Sequence, residues 1–328
     1  MANQDDFQYE YFSSVKQREV EWLWYPYIPY GKLTILQGDP GEGKSTFILN
    51  IAALLSKGKS MPDGYRVPTP EQVIYQTGED NIADTVKPRL IRAGADCEKI
   101  AYIVDEEATL TLEDTRIESV ISETGARLFI LDPLQAYLSQ ESDMQNAGRM
   151  RQQLRKLADI AAKYRCAIVI IGHMNKASGE KNLYRGLGSI DIPAIARSVL
   201  MISRDKKNPD LRIMFPVKSS LAPSGPPVAF KLERDRGINW HVSQADIRPD
   251  VIARASNLRK SELTRRTMLE MLEERDVPGT QIVRKLHIMG ISERTARNIK
   301  KELGISSYKK DMTWYWHYDG RFNNKEDS

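Results

Sequence analysis

The chain has 328 residues, 41% of them hydrophobic, with 48 Lys and Arg against 44 Asp and Glu and a net charge of +4. That length buries one substantial core and leaves room for a second small domain, and the composition is that of an ordinary soluble protein. Cys97 and Cys166 are too few for a disulfide framework and lack metal-ligand spacing, no apolar run reaches membrane-spanning length, and acidic residues in MANQDDFQYEYF stand where a signal peptide carries basic ones, so a cytoplasmic protein without membrane contact is expected.

The charge is unevenly placed. From Val251 onward there are 16 basic and 11 acidic side chains, an excess of five, while the rest of the chain carries −1. An excess of that size is a pointer toward nucleic acid or simply a solvated face.

In chain order, residues 1–31 form an aromatic lead-in, with Trp22, Trp24, Tyr25, Tyr27 and Tyr30 around Pro26 and Pro29, expected to pack on the core. KLTILQ (Lys32 to Gln37) then reads as a buried strand, GDPGEGKS as a glycine-rich loop, and TFILNIAALLSKG as a helix. This is a phosphate-binding loop in its required context. Gly38, Gly41 and Gly43 allow backbone N–H groups to turn inward, and the helix N-terminus adds its dipole. Gly38, Asp39, Pro40, Gly41, Glu42, Gly43, Lys44, Ser45 and Thr46 are the expected nucleoside-triphosphate contacts, with Lys44 reaching the β- and γ-phosphates and the Ser45 hydroxyl binding Mg2+.

Beyond the loop, VIYQT (Val73 to Thr77) reads as a strand, Ile82 to Gly94 as helical with a break at Pro88, AYIV (Ala101 to Val104) as a strand and Glu113 to Thr124 as a helix. RLFILD (Arg127 to Asp132) is an apolar strand closed by a carboxylate. A polar stretch, Leu138 to Arg149, precedes an amphipathic helix to about Tyr164, and AIVIIG (Ala167 to Gly172) is the next strand. This alternation implies a parallel sheet covered on both faces. From Ser198 the rhythm changes to strands alone, Val199 to Ser203, Leu211 to Val217, Val228 to Glu233 and Ile238 to Val242, read as additions to one sheet edge. The domains expected are a lead-in at 1–31, an ATPase domain at 32–245, a linker at 246–257, a small C-terminal domain at 258–320 and a tail at 321–328.

In α/β sheets ligands bind at the carboxyl ends of the strands, which selects Glu79, Asp132 and His173. Asp132 fits the aspartate that holds the Mg2+ shell. Pro133 follows it, so the carboxylate that activates water comes from elsewhere; Glu79, with Asp80 beside it as the alternative, closes a strand that reaches the same pocket. His173 is either a sensor of the γ-phosphate or a structural histidine. The segment Met174 to Ser189 that follows, with Lys176, Lys181 and Arg185, reads as a DNA-gripping loop or a plain surface loop. Arg204 and Lys218 each end a strand, and either is able to supply a positive charge to phosphoryl transfer from a neighbouring subunit; Arg204 is favoured, with Lys218 beside it.

Together GDPGEGKS, Glu79, LFILDP, IIGHMNK, YRGLGSIDIPAIARS (Tyr184 to Ser198) and KSSLAPSGPPVAF (Lys218 to Phe230) resemble the RecA-like ATPases of the plasmid RepA replicative-helicase type, over roughly Trp22 to Val242. The resemblance implies an α/β fold with a RecA-like P-loop core, ATP and Mg2+ as cofactors, a homo-oligomeric ring, usually hexameric, with ATP at the subunit interfaces, Arg204 and Lys218 acting in trans, and single-stranded DNA in the channel. Such proteins belong to mobile elements.

The tail lies outside that resemblance. Ser261 to Arg275 has helical apolar spacing, Pro278 starts a second helix, and Ser292 caps a third in ISERTARNIKKELGI. ISSY and MTWYWHY around Lys309, Lys310 and Asp311 signal a hairpin. Three helices and a hairpin resemble a winged helix-turn-helix, which implies a recognition helix with Arg294, Arg297, Lys300 and Lys301 and a wing tip with Lys309 and Lys310, docking DNA or protein. The rival readings are a recombination or regulatory ATPase that assembles on DNA without unwinding it, and a binding module in which nucleotide only switches assembly. A small-molecule kinase would need a lid or substrate segment, and none is evident.

Overall fold

A computed structural model describes residues 9–105, 109–138, 147–173, 195–205, 208–233, 237–240 and 249–319. The chain opens with two short strands, β1 (Trp22–Trp24) and β2 (Ile28–Pro29), paired antiparallel. The continuous apolar run predicted as a strand is β3 (Leu33–Gly38), buried along its whole length as a strand in a covered sheet must be. It feeds α1 (Lys44–Ser56). Next come β4 (Val73–Thr77), α2 (Lys87–Arg92), β5 (Ile100–Ala101), α3 (Thr115–Thr124) and β6 (Leu128–Asp132). Pro88 does not break α2 but sits in its first turn, where its missing N–H has no partner to lose. The helix α4 (Ala147–Tyr164) leads to β7 (Ala167–His173), and β8 (Ser198–Arg204), β9 (Leu211–Ser219), β10 (Val228–Glu233) and β11 (Gly237–Asn239) follow.

Among the described residues these strands make one sheet in the order β11-β10-β9-β8-β3-β7-β6-β4-β5. Pairing is parallel from β8 through β5 and antiparallel from β8 to β11, so the late strands extend one edge as expected. The α/β core with a mostly parallel sheet read from the sequence is present. One strand, β7, intervenes between the loop strand β3 and the Asp132 strand β6.

Each sheet face buries its own core. On one side Phe47, Ile48 and Ile51 of α1 meet Leu36, Tyr75, Ile130 and Phe230; on the other Ile117, Leu154 and Leu157 of α3 and α4 meet Ile35, Phe129 and Phe215. The aromatic lead-in belongs to the first core: Trp24 and Tyr27 are buried with ring centres 4.6 Å apart, and Phe47 stacks on Trp24 at 6.2 Å. Such aromatic pairs contribute about 0.5–1.5 kcal/mol each beyond burial. The Tyr27 hydroxyl donates to the Pro226 carbonyl at 2.7 Å, tying the lead-in to the loop after β9.

The C-terminal part starts with α5 (Pro249–Leu272), continues through β12 (Val277–Pro278), α6 (Gly279–Ile288) and α7 (Glu293–Glu302), and ends in the hairpin β13 (Ser306–Lys310) and β14 (Thr313–His317). The three helices and the hairpin match the pattern, and the Ser292 hydroxyl caps α7 by accepting from Thr295 N–H at 3.3 Å. A linker was expected at 246–257, yet residues 249–257 are already helical. The reason is geometric. Near the middle of α5, Leu258 packs against the sheet core and Arg259 Nε donates to the Pro216 carbonyl at 2.7 Å, while Met268 and Leu272 enter a separate core with Ile282, Leu286, Ile299 and Trp316. A helix that serves two cores presents no single apolar stripe to read. Among the described residues no helix is long and apolar enough to cross a membrane.

Where α5 crosses from one core to the other it buries charge. Glu262 is 7% exposed, Arg265 is 6% exposed and pairs with Glu302 at 2.6 Å, and Lys218 of β9 is 7% exposed beneath them. Burial pushes the Glu262 carboxyl up to about 7, with Arg265 and Arg266 opposing. Burial, then Arg266 and Arg197, push Lys218 down to about 8 against Glu270. For Glu262 the folded state holds a proton that the unfolded chain releases between 4.5 and about 7, so stability falls as pH rises through that window, and the whole cost is present above it. Glu262→Gln is therefore expected to raise stability at pH 8 by about 2–3 kcal/mol and to match the parent near pH 4.5, measured by urea unfolding at both values.

Candidate nucleotide-binding site

The loop between β3 and α1 turns at Gly41 and Gly43, whose φ of +78° and +89° fall in the left-handed region that glycine occupies without strain. Gly38 is required by a close approach: a Cβ there would stand 2.5 Å from the Ile202 carbonyl oxygen of β8. Gly43 is the N-cap of α1 without a side-chain cap, so the free N–H groups and positive end of the helix are turned to the loop. Lys44 is 4% exposed and its Nζ donates to the carbonyls of Gly38 at 2.9 Å and Asp39 at 3.0 Å. Burial lowers its pKa, and the negative charges of Asp132, Asp39, Glu42 and Glu79 act in the opposite direction.

Register brings the carboxylates there. Gly38 pairs with His173 and Thr77 with Asp132 in the parallel ladder, so the strand ends lie level. Asp132 is 4% exposed, and its Oδ2 accepts the Tyr75 hydroxyl at 2.7 Å. Gly78 N–H donates to the Asp132 carbonyl at 3.1 Å, and a methyl at Gly78 would collide with Ala136. Glu79 is thereby held past the end of β4, exposed, with its N–H and that of Asp80 donating to Thr77 Oγ1 at 3.3 and 3.1 Å. Asp80 is engaged by Arg89 at 2.7 Å.

The donor set fits Mg2+. One hydroxyl, Ser45, at the head of α1 and one buried carboxylate, Asp132, make the kind of sparse protein share that this ion takes when phosphate oxygens and water complete its shell. No cluster of three or more His, Cys, Asp or Glu able to hold a metal exists among the described residues. One turn along α1 from the loop a pocket of about 270 Å3 opens, lined by Thr46, Leu49 and Asn50, by Arg89 and Arg92 of α2, and by Leu232, Glu233 and Gly237.

Other expected residues are placed differently. Arg204, exposed at the end of β8, donates from Nη2 to the Gly41 carbonyl of its own loop at 3.2 Å. Lys218 does not stand beside it: β9 runs antiparallel, Lys218 pairs with Val199 while Arg204 pairs with Arg212, and the carboxyl end of β9 lies at the opposite end of the sheet. The rule that strand ends face the ligand applies to the parallel strands alone. Lys300 is turned inward, its Nζ 4.8 Å from the Trp316 ring and donating to Ser307 Oγ, and Arg297 pairs with Glu293 at 2.7 Å. Arg294, Lys301, Lys309 and Lys310 are exposed. The side chain of His173 and all of Lys176, Lys181 and Arg185 lie outside the described residues. Tyr75, Asn50, Arg89 and Arg92 were not singled out from the sequence. A tyrosine in an otherwise apolar buried strand was the available signal for the first, because its hydroxyl needs a partner.

Residues 5–179 match the family described as AAA domain, AAA_25. Among curated proteins the chain is similar to DNA repair protein RadA of Helicobacter pylori, 28% identical over 213 residues that make up 63% of this chain and 41% of that protein. It is also similar to DNA repair protein RadA of Streptococcus pneumoniae, 31% identical over 151 residues, 44% of this chain and 31% of that one. The chain thus spans less than half the length of these curated relatives. A crystal structure of the RadB recombinase aligns with 65% of this chain and 91% of its own at 19% identity and a TM-score of 0.45.

Gly43→Ala combines a left-handed backbone with a Cβ 3.1 Å from Leu232 Cδ1. The strain of about 1–2 kcal/mol is expected to lower the affinity for a fluorescent ADP analogue roughly tenfold. An unchanged titration would count against the loop as the phosphate cradle.

Proposed function

The chain belongs to the AAA_25 family of AAA domains, and on that footing we propose that it is an ATP hydrolase working as an oligomeric motor on DNA, of the replicative-helicase type. The observation that carries the reading is that the phosphate loop, Asp132 and Glu79 all lie at the carboxyl ends of parallel strands of one sheet, within about two residues of one another in register. Lys44 and the N-terminus of α1 hold the phosphates, and the pocket beside Thr46 and Asn50 takes the nucleoside. Ser45 and Asp132 hold Mg2+, which when bound neutralises charge on the β- and γ-phosphates. Glu79, not attached to the Asp132 strand, orients the attacking water and takes its proton. Arg204 supplies positive charge to the developing transition state from across a subunit boundary.

DNA is the proposed partner for two reasons: the relatives bear the name DNA repair protein, and basic side chains are concentrated in the C-terminal part. We read its three helices and hairpin as a winged helix-turn-helix, with Arg294 and Lys301 on one helix and Lys309 and Lys310 on the hairpin toward DNA. The similarity to RadA favours a second reading, an ATPase that assembles on DNA in recombination or repair without unwinding it.

Single-stranded DNA is expected to stimulate ATP hydrolysis by the purified chain, with Lys44→Ala inactive; hydrolysis indifferent to DNA would overturn the motor reading. Strand displacement on a forked duplex separates the two readings, since only the helicase releases the labelled strand. Glu79→Gln should cut hydrolysis by about 100-fold or more and leave ATP affinity within about twofold. Mixing Lys44→Ala with Arg204→Ala protomers should recover part of the activity, because the mixed interfaces that take their loop from an Arg204→Ala protomer and their arginine from a Lys44→Ala protomer are intact. Absence of recovery would assign Arg204 to its own loop.

A further inference from the structure

We infer that Tyr75 is a positioning residue that fixes the Mg2+ aspartate, an inference that rests on the reading of Asp132 as a metal-holding carboxylate. Tyr75 pairs in register with Ile130, two residues before Asp132, so its side chain and that carboxylate project from the same sheet face in successive rows. Its ring lies in the core with Ile130, Val86 and Leu90, and only the hydroxyl reaches out of that apolar layer. There it donates to Asp132 Oδ2 at 2.7 Å, with Tyr75 1% and Asp132 4% exposed.

The consequence is directional. The terminal torsion of an aspartate is broad and nearly two-fold, so a carboxylate at a strand end is free to rotate unless something holds it. A short hydrogen bond from a rigid ring, itself locked by packing, selects one orientation of the carboxylate. The buried Lys44 of the phosphate loop feels the same carboxylate electrostatically. Partners that orient a metal-holding carboxylate in this way typically matter by about 10–100-fold in metal affinity. A purely structural tyrosine would need an acceptor too, but its loss would act on folding and leave the ion indifferent.

Tyr75→Phe keeps the ring and deletes the bond. On the full chain, a fluorescent ADP analogue is titrated in EDTA and then at increasing Mg2+, with Asp132→Asn alongside and thermal unfolding as the folding control. Tyr75→Phe is expected to hold the EDTA affinity within about twofold and to raise the Mg2+ concentration for half-maximal response by about 10–100-fold. Asp132→Asn is expected to lose the Mg2+ response altogether. If Asp132→Asn loses it while Tyr75→Phe titrates like the parent, or shifts only the unfolding temperature, the positioning role is overturned and the metal reading stands. If Asp132→Asn responds to Mg2+ like the parent, the metal reading itself fails.

Discussion

The site depends on the registers of the parallel strands β3, β7, β6 and β4. Their ladders set Gly38 level with His173, Leu131 with Ile170, and Thr77 with Asp132, so a lysine, an aspartate and a glutamate far apart in the chain meet at one rim. Because side chains alternate across a strand, a slip of one residue would send each of these groups to the opposite face. The apolar runs on both faces forbid that slip, since Tyr75, Ile130 and Leu36 share one core while Ile35 and Phe129 share the other. Packing therefore sets the chemistry: the same alternation that fills the two cores aims Asp132 at the loop.

The parallel part of the fold was legible because each element advertised itself locally. A covered strand must be continuously apolar, and β3, β6 and β7 are; the glycine-rich loop could then only lie between the first of these and a helix. The antiparallel edge was legible as strands but not as directions, which is why Lys218 was expected near Arg204. Pairing direction is a property of two strands and leaves no trace in either one. Helix α5 begins earlier than its apolar spacing suggested, and from Leu258 onward it serves two cores.

Within the site, backbone demands were readable and side-chain partnerships were not. Gly41 and Gly43 announce a left-handed turn by their identity. The ion pair between Asp80 and Arg89 nine residues ahead could not be read locally. The bond from Tyr75 to Asp132 joins residues 57 apart and arises from ladder register alone.

The continuity of α5 has a mechanical consequence. Its 24 residues extend about 36 Å at the helical rise of about 1.5 Å per residue. Near its middle it is held to the sheet through Arg259, and its C-terminal end is built into the C-terminal core through Met268 and Leu272. A coil linker would let the two parts reorient independently and dissipate any strain between them. A rod instead behaves as a crank: tilting of strand β9 swings the C-terminal part through an arc, and torque on that part twists the strand in return.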